Sequence, residues 1–473
     1  MGLAPVRRAA GPFYAVEMIS GEARDRPQAS ADAAGGTLPP GPGGPAWGNF
    51  TRYLRDPLGT MDGFAADHGG VAYVRFPGGH SFFFVSDADL VRRVLVDDNS
   101  AFVKGRALRA AKRLLGEGLL TSEGADHLRR RRSIQPVFGH ERIARYGDVM
   151  IDAAEHVSAG WADGAEVDIN GEMTRVALRV VGRTVFDADV ESEAPEIGAV
   201  LDAGMRVFHR FLLPGAELLW RMPLPATRRF NTAKRDIDAF LERLVAERAA
   251  GGGGDDLVAV LRGLRDEQGR PALDDAEIRD EAITLMLAGH ETTAQALTWT
   301  WYLLDRNPAA CEAMRAELAA QLGSRPPTPD DFARLPYTQA VFREALRLYP
   351  PVWALARIST RPYALGPYAV PEGGTIVMSQ WVVHRSERYY ADPLRFSPER
   401  WLDGPAPAPG AYFPFAAGPR MCIGERFAML EGTLVLAAIG RSWRVVPGAE
   451  APRIDARFTL RPRHGLPATV RAA

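Results

Sequence analysis

Two short segments of this 473-residue chain bring together residue types that could do chemistry in concert. The first is Phe413-Pro414-Phe415-Ala416-Ala417-Gly418-Pro419-Arg420-Met421-Cys422-Ile423-Gly424, followed by a helical pattern over 425–436. A cysteine that ligates a metal does so as the thiolate, which needs N–H donors, a nearby cation and a helix N-terminus close behind it. Gly418 and Gly424 let the backbone curl near the sulfur, a helix starting near Ile423 aims its dipole at it, and Arg420 offers a charge-assisted donor two residues away. For a lone cysteine, a plain buried thiol is the commoner outcome. The second segment is Ala288-Gly289-His290-Glu291-Thr292-Thr293, inside a predicted helix over 277–304 that is apolar round most of its circumference. A mid-helix glycine costs about 1 kcal/mol relative to alanine, and paired threonine hydroxyls compete for backbone carbonyls, so the stretch sacrifices local stability. Glu291 and Thr292 set an acid beside a hydroxyl that can order water, the pair required where protons must reach a buried acceptor.

Three further groupings are weaker alone. Glu344 and Arg347 lie one helical turn apart and can pair, although most such pairs are solvated and contribute little. Pro398-Glu399-Arg400-Trp401 offers a third member. His127 and Arg131 share one helix face, and the run from Arg129 to Arg132 reads either as a solvated basic face or as a docking surface for an acidic partner.

These residues need elements to position them. Residues 71–76 and 81–85 read as a hairpin, and Asp87 as the cap of a helix through Leu90, Val91 and Val94. Helical patterns dominate from His127 to Leu346, interrupted by Pro214, Pro223, Pro225 and the Gly251–Gly254 run; short strands such as 375–378 follow, then one last helix after Gly424. The class is mainly α with a smaller β-rich region; no fixed repeat and no strand–helix alternation appear. Residues 1–37 read as a disordered or loosely packed tail, and 38–473 as one domain. With 57 basic against 58 acidic side chains the net charge is −1, which points to neither nucleic acid nor an anionic membrane. Two cysteines, Cys311 and Cys422, cannot build a disulfide framework, and no apolar run follows Arg7 and Arg8, so a cytoplasmic protein without a membrane span is expected. Cys311, beside Glu312 and Arg315, lacks ligand-like surroundings.

The cysteine segment resembles the iron-ligand loop of the cytochrome P450 superfamily, matching Phe415, Gly418, Arg420, Cys422 and Gly424 at the family's spacing. Glu344-x-x-Arg347 with Arg400, His127 with Arg131, and the Ala288–Thr293 segment are similar to family motifs in the family's order, and the resemblance runs from about Leu38 to the C-terminus. It implies the mostly helical triangular-prism fold, haem b as cofactor and Cys422 as the axial thiolate. It further implies Phe415 against the ring, propionate contacts from His127, Arg131, Arg357 and Arg420, and a structural Glu344–Arg347–Arg400 lock. His127 stands where tryptophan is commoner. On the distal side it implies Glu291 and Thr292 as the proton-delivering pair, with Ala288 and Gly289 leaving room for dioxygen.

The family's variable substrate segments fall near 104–121, 204–225 and 352–355, where Leu120, Phe208, Phe211, Leu212, Leu213, Val352, Trp353 and Leu355 offer an apolar lining. A hydrophobic fatty acid, terpene, steroid-like molecule or polyketide is the implied substrate. No dinucleotide fingerprint and no cluster-binding cysteines occur, so a separate ferredoxin or flavodoxin with an NAD(P)H-dependent reductase is expected, serving a monomer. A non-catalytic haem sensor or electron carrier would not need Glu291 and Thr292. Peroxide-driven relatives commonly lack that pair.

Overall fold

The protein is described by a computed structural model for residues 37–188 and 256–473, apart from 78, 79, 267 and 457, with scattered positions between 225 and 246. The N-terminal half holds α1 (Ala46–Arg55), α2 (Pro57–His68), β1 (Val71–Phe76), β2 (His80–Val85), α3 (Ala88–Arg92), β3 (Phe102–Lys104), α4 (Arg106–Leu115), α5 (Gly124–Ile134), α6 (His140–Ser158), β4 (Glu166–Asp168) and α7 (Ile169–Phe186). Then come α8 (Leu257–Gly263), α9 (Asp275–Arg306), α10 (Pro308–Leu322), α11 (Pro336–Leu348), β5 (Leu355–Ser359), β6 (Tyr363–Leu365), β7 (Tyr368–Val370), β8 (Thr375–Met378) and α12 (Gln380–Val383). The chain closes with α13 (Glu425–Gly440), β9 (Trp443–Pro447), β10 (Ile454–Asp455), β11 (Arg461–Pro462) and β12 (Pro467–Ala472). A mainly helical protein with a smaller β region, as expected, is what forms.

The principal sheet has the order β1-β2-β8-β5-β3, and only β2 and β8 run parallel. Period-two alternation divides the aromatics of β2 between two cores. Phe82 and Phe84 pack with Phe50, Tyr53 and Phe64 of α1 and α2, whereas Phe83 and Val85 join Val91, Leu95 and Phe413. Since Phe413 opens the cysteine segment, this second face of the sheet supports that loop. Asp87 caps α3 as expected, accepting from Leu90 N–H at 3.1 Å. The helix then widens into a π-turn over Arg93–Asp97.

Helix α9 begins at a capping box in which Asp274 accepts from Glu277 N–H at 2.8 Å and Glu277 accepts from Asp274 N–H at 3.1 Å. It stops where Pro308 follows the Asn307 cap, so the expected 277–304 helix is two residues longer at each end. Helix α13 is buried from Met429 to Gly440 and packs on α6, α9 and α11. Its approach to α11 is close: a Cβ at Gly432 would stand 2.3 Å from the Phe342 ring.

Candidate functional site

The cysteine loop is folded by its own backbone. Cys422 N–H donates to Phe415 O at 2.9 Å, and Met421 N–H to Gly418 O at 3.0 Å across the 3-10 turn Gly418–Arg420. Gly418 has φ 72°, and a Cβ there would lie 2.2 Å from Leu95 O. Its freedom therefore serves a close backbone contact with the π-turn. Gly424 caps α13, which starts at Glu425 rather than near Ile423, and a Cβ on it would meet nothing closer than Cys422 Sγ at 3.9 Å. Phe415 is half-buried against the main core. Cys422 is accessible, yet desolvation by the surrounding protein pushes its thiol pKa up, against the lowering effects of the Gly424 N–H and Arg131. Accessible surface inside an enclosing shell is what an internal chamber produces.

Helix α9 presents a matching face. From Asp280 to Leu304 every residue is buried except Leu285, Ala288, Gly289 and Thr292. Those positions, i, i+3, i+4 and i+7, form one stripe. Ala288 is exposed in the middle of an otherwise enclosed helix. A Cβ on Gly289 would stand 3.0 Å from Val181 Cγ2, so its small size also admits α7. Thr292 Oγ1 donates to Ala288 O at 2.6 Å. Glu291, buried beside the stripe, accepts at Oε1 from Thr459 Oγ1 at 2.7 Å, a partner 168 residues away that no local pattern signals.

A largely buried cluster of basic residues lies next to the loop. His127 and Arg131 come from α5, Arg357 from β5 and Arg420 from the loop, as anticipated, and Lys104 from β3 joins them unanticipated. Arg131 Nη1 donates to Met421 O at 2.6 Å. Arg420 pairs with Glu123, and Lys104 Nζ donates to the carbonyls of Leu119, Leu120 and Ser122 at 2.7–3.0 Å. Burial first, then the neighbouring Arg420, lowers Lys104 to about 7 and Arg357 to about 10; burial followed by Lys104 and Arg420 lowers His127 to about 3. The Nε of Arg357 is buried without a hydrogen-bond partner. Basic groups depressed by burial and then by one another, with an unused guanidinium donor, are short of anions. Two propionate carboxylates would fit that deficit, and one accessible cysteine would suit a metal whose remaining ligands a macrocycle supplies.

Glu344 and Arg347, fully buried, form the expected lock. Arg347 Nε and Nη2 each reach a Glu344 oxygen at 2.8 Å, and Arg400 Nε, Ser397 N–H and Trp401 Nε1 add bonds of 2.9–3.0 Å. Arg347 also donates to His384 O, Pro393 O and Arg395 O. His384 in turn accepts from Phe413 N–H at 3.0 Å, which ties the lock to the cysteine loop.

Other expectations need correction. Trp353 is 2% exposed inside the main core and so does not line a pocket; Val352, Leu355 and Leu120 remain half-buried. Arg130 is buried in a network with Asp126, Glu277 and Glu281; Arg129 is exposed but paired with Asp126 and Glu277, and Arg132 is exposed as well. The network matters for the loop over 116–122: Asp280 and Glu281 of α9 accept from the N–H groups of Glu117 and Leu119. Cys311 is 7% exposed in the core, its thiol pushed up by burial. Phe208, Phe211, Leu212 and Leu213 lie outside the described residues.

Comparison with known proteins agrees with this geometry. Residues 38–466 match the cytochrome P450 family. Cyclooctatin synthase of Streptomyces melanosporofaciens is 38% identical over 90% of this chain and 94% of its own. Pentalenene oxygenase of Streptomyces avermitilis is 35% identical over 89% and 94%, and cyclooctat-9-en-7-ol 5-monooxygenase of Streptomyces melanosporofaciens 34% over 85% and 88%. The crystal structure of the cytochrome P450DA heme domain superposes with a TM-score of 0.83 at 25% identity, covering 92% of this chain and 98% of that one. With the motifs in place on the fold that the motifs implied, the chain belongs to the cytochrome P450 family.

Proposed function

We propose that this haem-iron monooxygenase binds haem b between the α9 stripe and the Cys422 loop and oxygenates a terpene-class skeleton. The net reaction places one atom of dioxygen in a substrate C–H or C=C bond and releases the other as water, consuming two electrons and two protons. When bound, the haem supplies the iron at which dioxygen is reduced. Cys422 would ligate that iron. His127, Arg131, Arg357 and Arg420 would hold the propionates, which supply the anions their cluster lacks, while Lys104 braces the 119–122 loop beside them. Glu291 and Thr292 would pass protons into the chamber: the Thr292 proton is engaged with Ala288 O, so its oxygen lone pairs face outward to accept.

Residues 38–473 would act as one catalytic domain after the N-terminal tail, in a cytoplasmic monomer. Electrons would come from a separate ferredoxin or flavodoxin with its NAD(P)H-dependent reductase. Arg132 and the exposed Leu128 and Met421, around the Arg131 link to the loop, suit such a docking face.

The accessible stripe Leu285–Ala288–Gly289–Thr292, apolar but for one hydroxyl, carries the substrate reading. It suits a hydrocarbon, and the names of the three Streptomyces relatives narrow that to terpenes. Spin-shift titration of the haem-loaded enzyme with a sesquiterpene hydrocarbon, a diterpene alcohol, a saturated fatty acid and a steroid tests it. A terpene should bind at least about tenfold more tightly than the fatty acid or steroid. Tighter binding of either non-terpene overturns the assignment.

A further inference from the structure

Thr459 lies in the turn that joins β10 to β11, whose two-residue strands pair Ile454 with Pro462 and Asp455 with Arg461. The turn is pinned to the distal helix and to the pocket segment: Trp299 Nε1 of α9 donates to Leu460 O at 2.7 Å, and Leu460 N–H donates to Pro351 O at 2.9 Å. Those bonds aim the adjacent Thr459 hydroxyl at Glu291 Oε1. Among the described residues the Glu291 carboxylate has no other hydrogen-bond or ion-pair partner. Hydroxyls of α9 itself are engaged elsewhere. Thr292, Thr298 and Thr300 all donate to the carbonyl four residues back on α9, at 2.6–2.7 Å.

A carboxyl that repeatedly gives up and regains a proton must hold its place while its charge changes. An arginine or lysine partner would favour the ionised form alone, and a backbone N–H could only donate. A hydroxyl can do both. It donates to the carboxylate and, after rotating about its C–O bond, accepts from the carboxylic acid, with the heavy atoms unmoved. We propose that Thr459 is a positioning residue for Glu291, holding the distal acid in one orientation through both halves of its proton cycle. Thr459 keeps its own proton throughout, and Glu291 passes one toward the chamber and regains one from solvent. The inference rests on Glu291 being the acid of the distal pair.

The test uses the full-length, haem-loaded enzyme carrying Thr459→Val, Thr459→Ser, Glu291→Gln and the Val/Gln double substitution. Infrared spectra read the Glu291 carboxyl bands, assigned by their loss in Glu291→Gln. Coupling is read as product and hydrogen peroxide formed per NADPH, with a surrogate ferredoxin and reductase and the tightest-binding terpene of the panel. Thr459→Val should shift the Glu291 bands and lower coupling about 3- to 10-fold with KM within about twofold, and Thr459→Ser should restore both. The double variant should couple no worse than Glu291→Gln alone. If Thr459→Val fails to load haem, Thr459→Ala carries the same comparison. Unchanged bands and coupling in the valine variant, while Glu291→Gln uncouples, overturn the role of Thr459 and leave Glu291 as the acid. Unchanged coupling in Glu291→Gln overturns both.

Discussion

Arg347→Lys is the sharpest probe of how this protein holds its cysteine loop. Arg347 makes five hydrogen bonds from a fully buried position: two to Glu344 at 2.8 Å, two at 2.6 Å to His384 O and Pro393 O, and one at 3.0 Å to Arg395 O. A lysine keeps the charge but has three donors, so at least two of those acceptors go unserved. At roughly 1.5–3 kcal/mol for each hydrogen bond involving a charged group, the deficit is about 3–6 kcal/mol. An unfolding entropy of about 2.1 cal/mol/K per residue over the 38–466 span gives ~0.9 kcal/mol/K, so the melting temperature should fall by about 3–7 °C. Haem loading should fall with it, because Arg347 anchors the backbone carbonyl of His384, the residue whose ring nitrogen holds Phe413 N–H. Thermal unfolding followed by circular dichroism, with the haem-to-protein absorbance ratio, reads both. Arg92→Lys in the exposed Arg92–Asp97 pair is the control and should move the melting temperature by less than about 1 °C. A lysine variant at 347 with unaltered melting and full haem content would refute the reasoning.

Two other substitutions test separate parts of the scaffold. Gly418→Ala combines φ 72° with a Cβ placed 2.2 Å from the Leu95 carbonyl oxygen, so the loop must shift; loss of most haem incorporation is expected, measured by the same absorbance ratio, and full incorporation would contradict it. Glu431 of α13 is buried, its carboxyl pushed up to about 8 by desolvation and only partly relieved by the nearby Thr293 hydroxyl, with neither oxygen in a hydrogen bond of normal geometry. Its folded pKa thus exceeds the ordinary glutamate value of 4.5, so the native state binds more protons than the unfolded state between about 4.5 and 8 and loses stability as pH rises through that window. Denaturant unfolding at several pH values should therefore show Glu431→Gln gaining on the wild type from pH 4.5 to 8 and levelling above it; a difference independent of pH would be inconsistent with a buried, titrating Glu431.

What could be read in advance follows from how far each contact reaches along the chain. Glu344 and Arg347 lie three residues apart and the cysteine loop is one continuous segment, so spacing displayed them. Helix α9 showed its body over 277–304 through its apolar circumference, but not its ends, which the Asp274–Glu277 capping box and Pro308 set two residues further out on each side. Thr459, His384 and Lys104 have no local signature: their partners are distant in sequence, and only the folded chain brings Thr459 to Glu291 or Lys104 to the carbonyls of 119–122. Where residue type was read without packing, it misled. Trp353 and Arg130 are interior residues rather than pocket and docking surface, and the close contacts of Gly289 with Val181 and of Gly418 with Leu95 carried no signal in the sequence.

The central claim is that the Cys422 thiolate is the iron's protein ligand, and the reduced, carbon monoxide-bound absorption spectrum tests it most directly. The haem-loaded wild type and Cys311→Ser should both show the strongly red-shifted Soret band of a thiolate-ligated haem, and Cys422→Ser should lack it. A Cys422→Ser protein that keeps the band, or a wild type without it, would contradict the account.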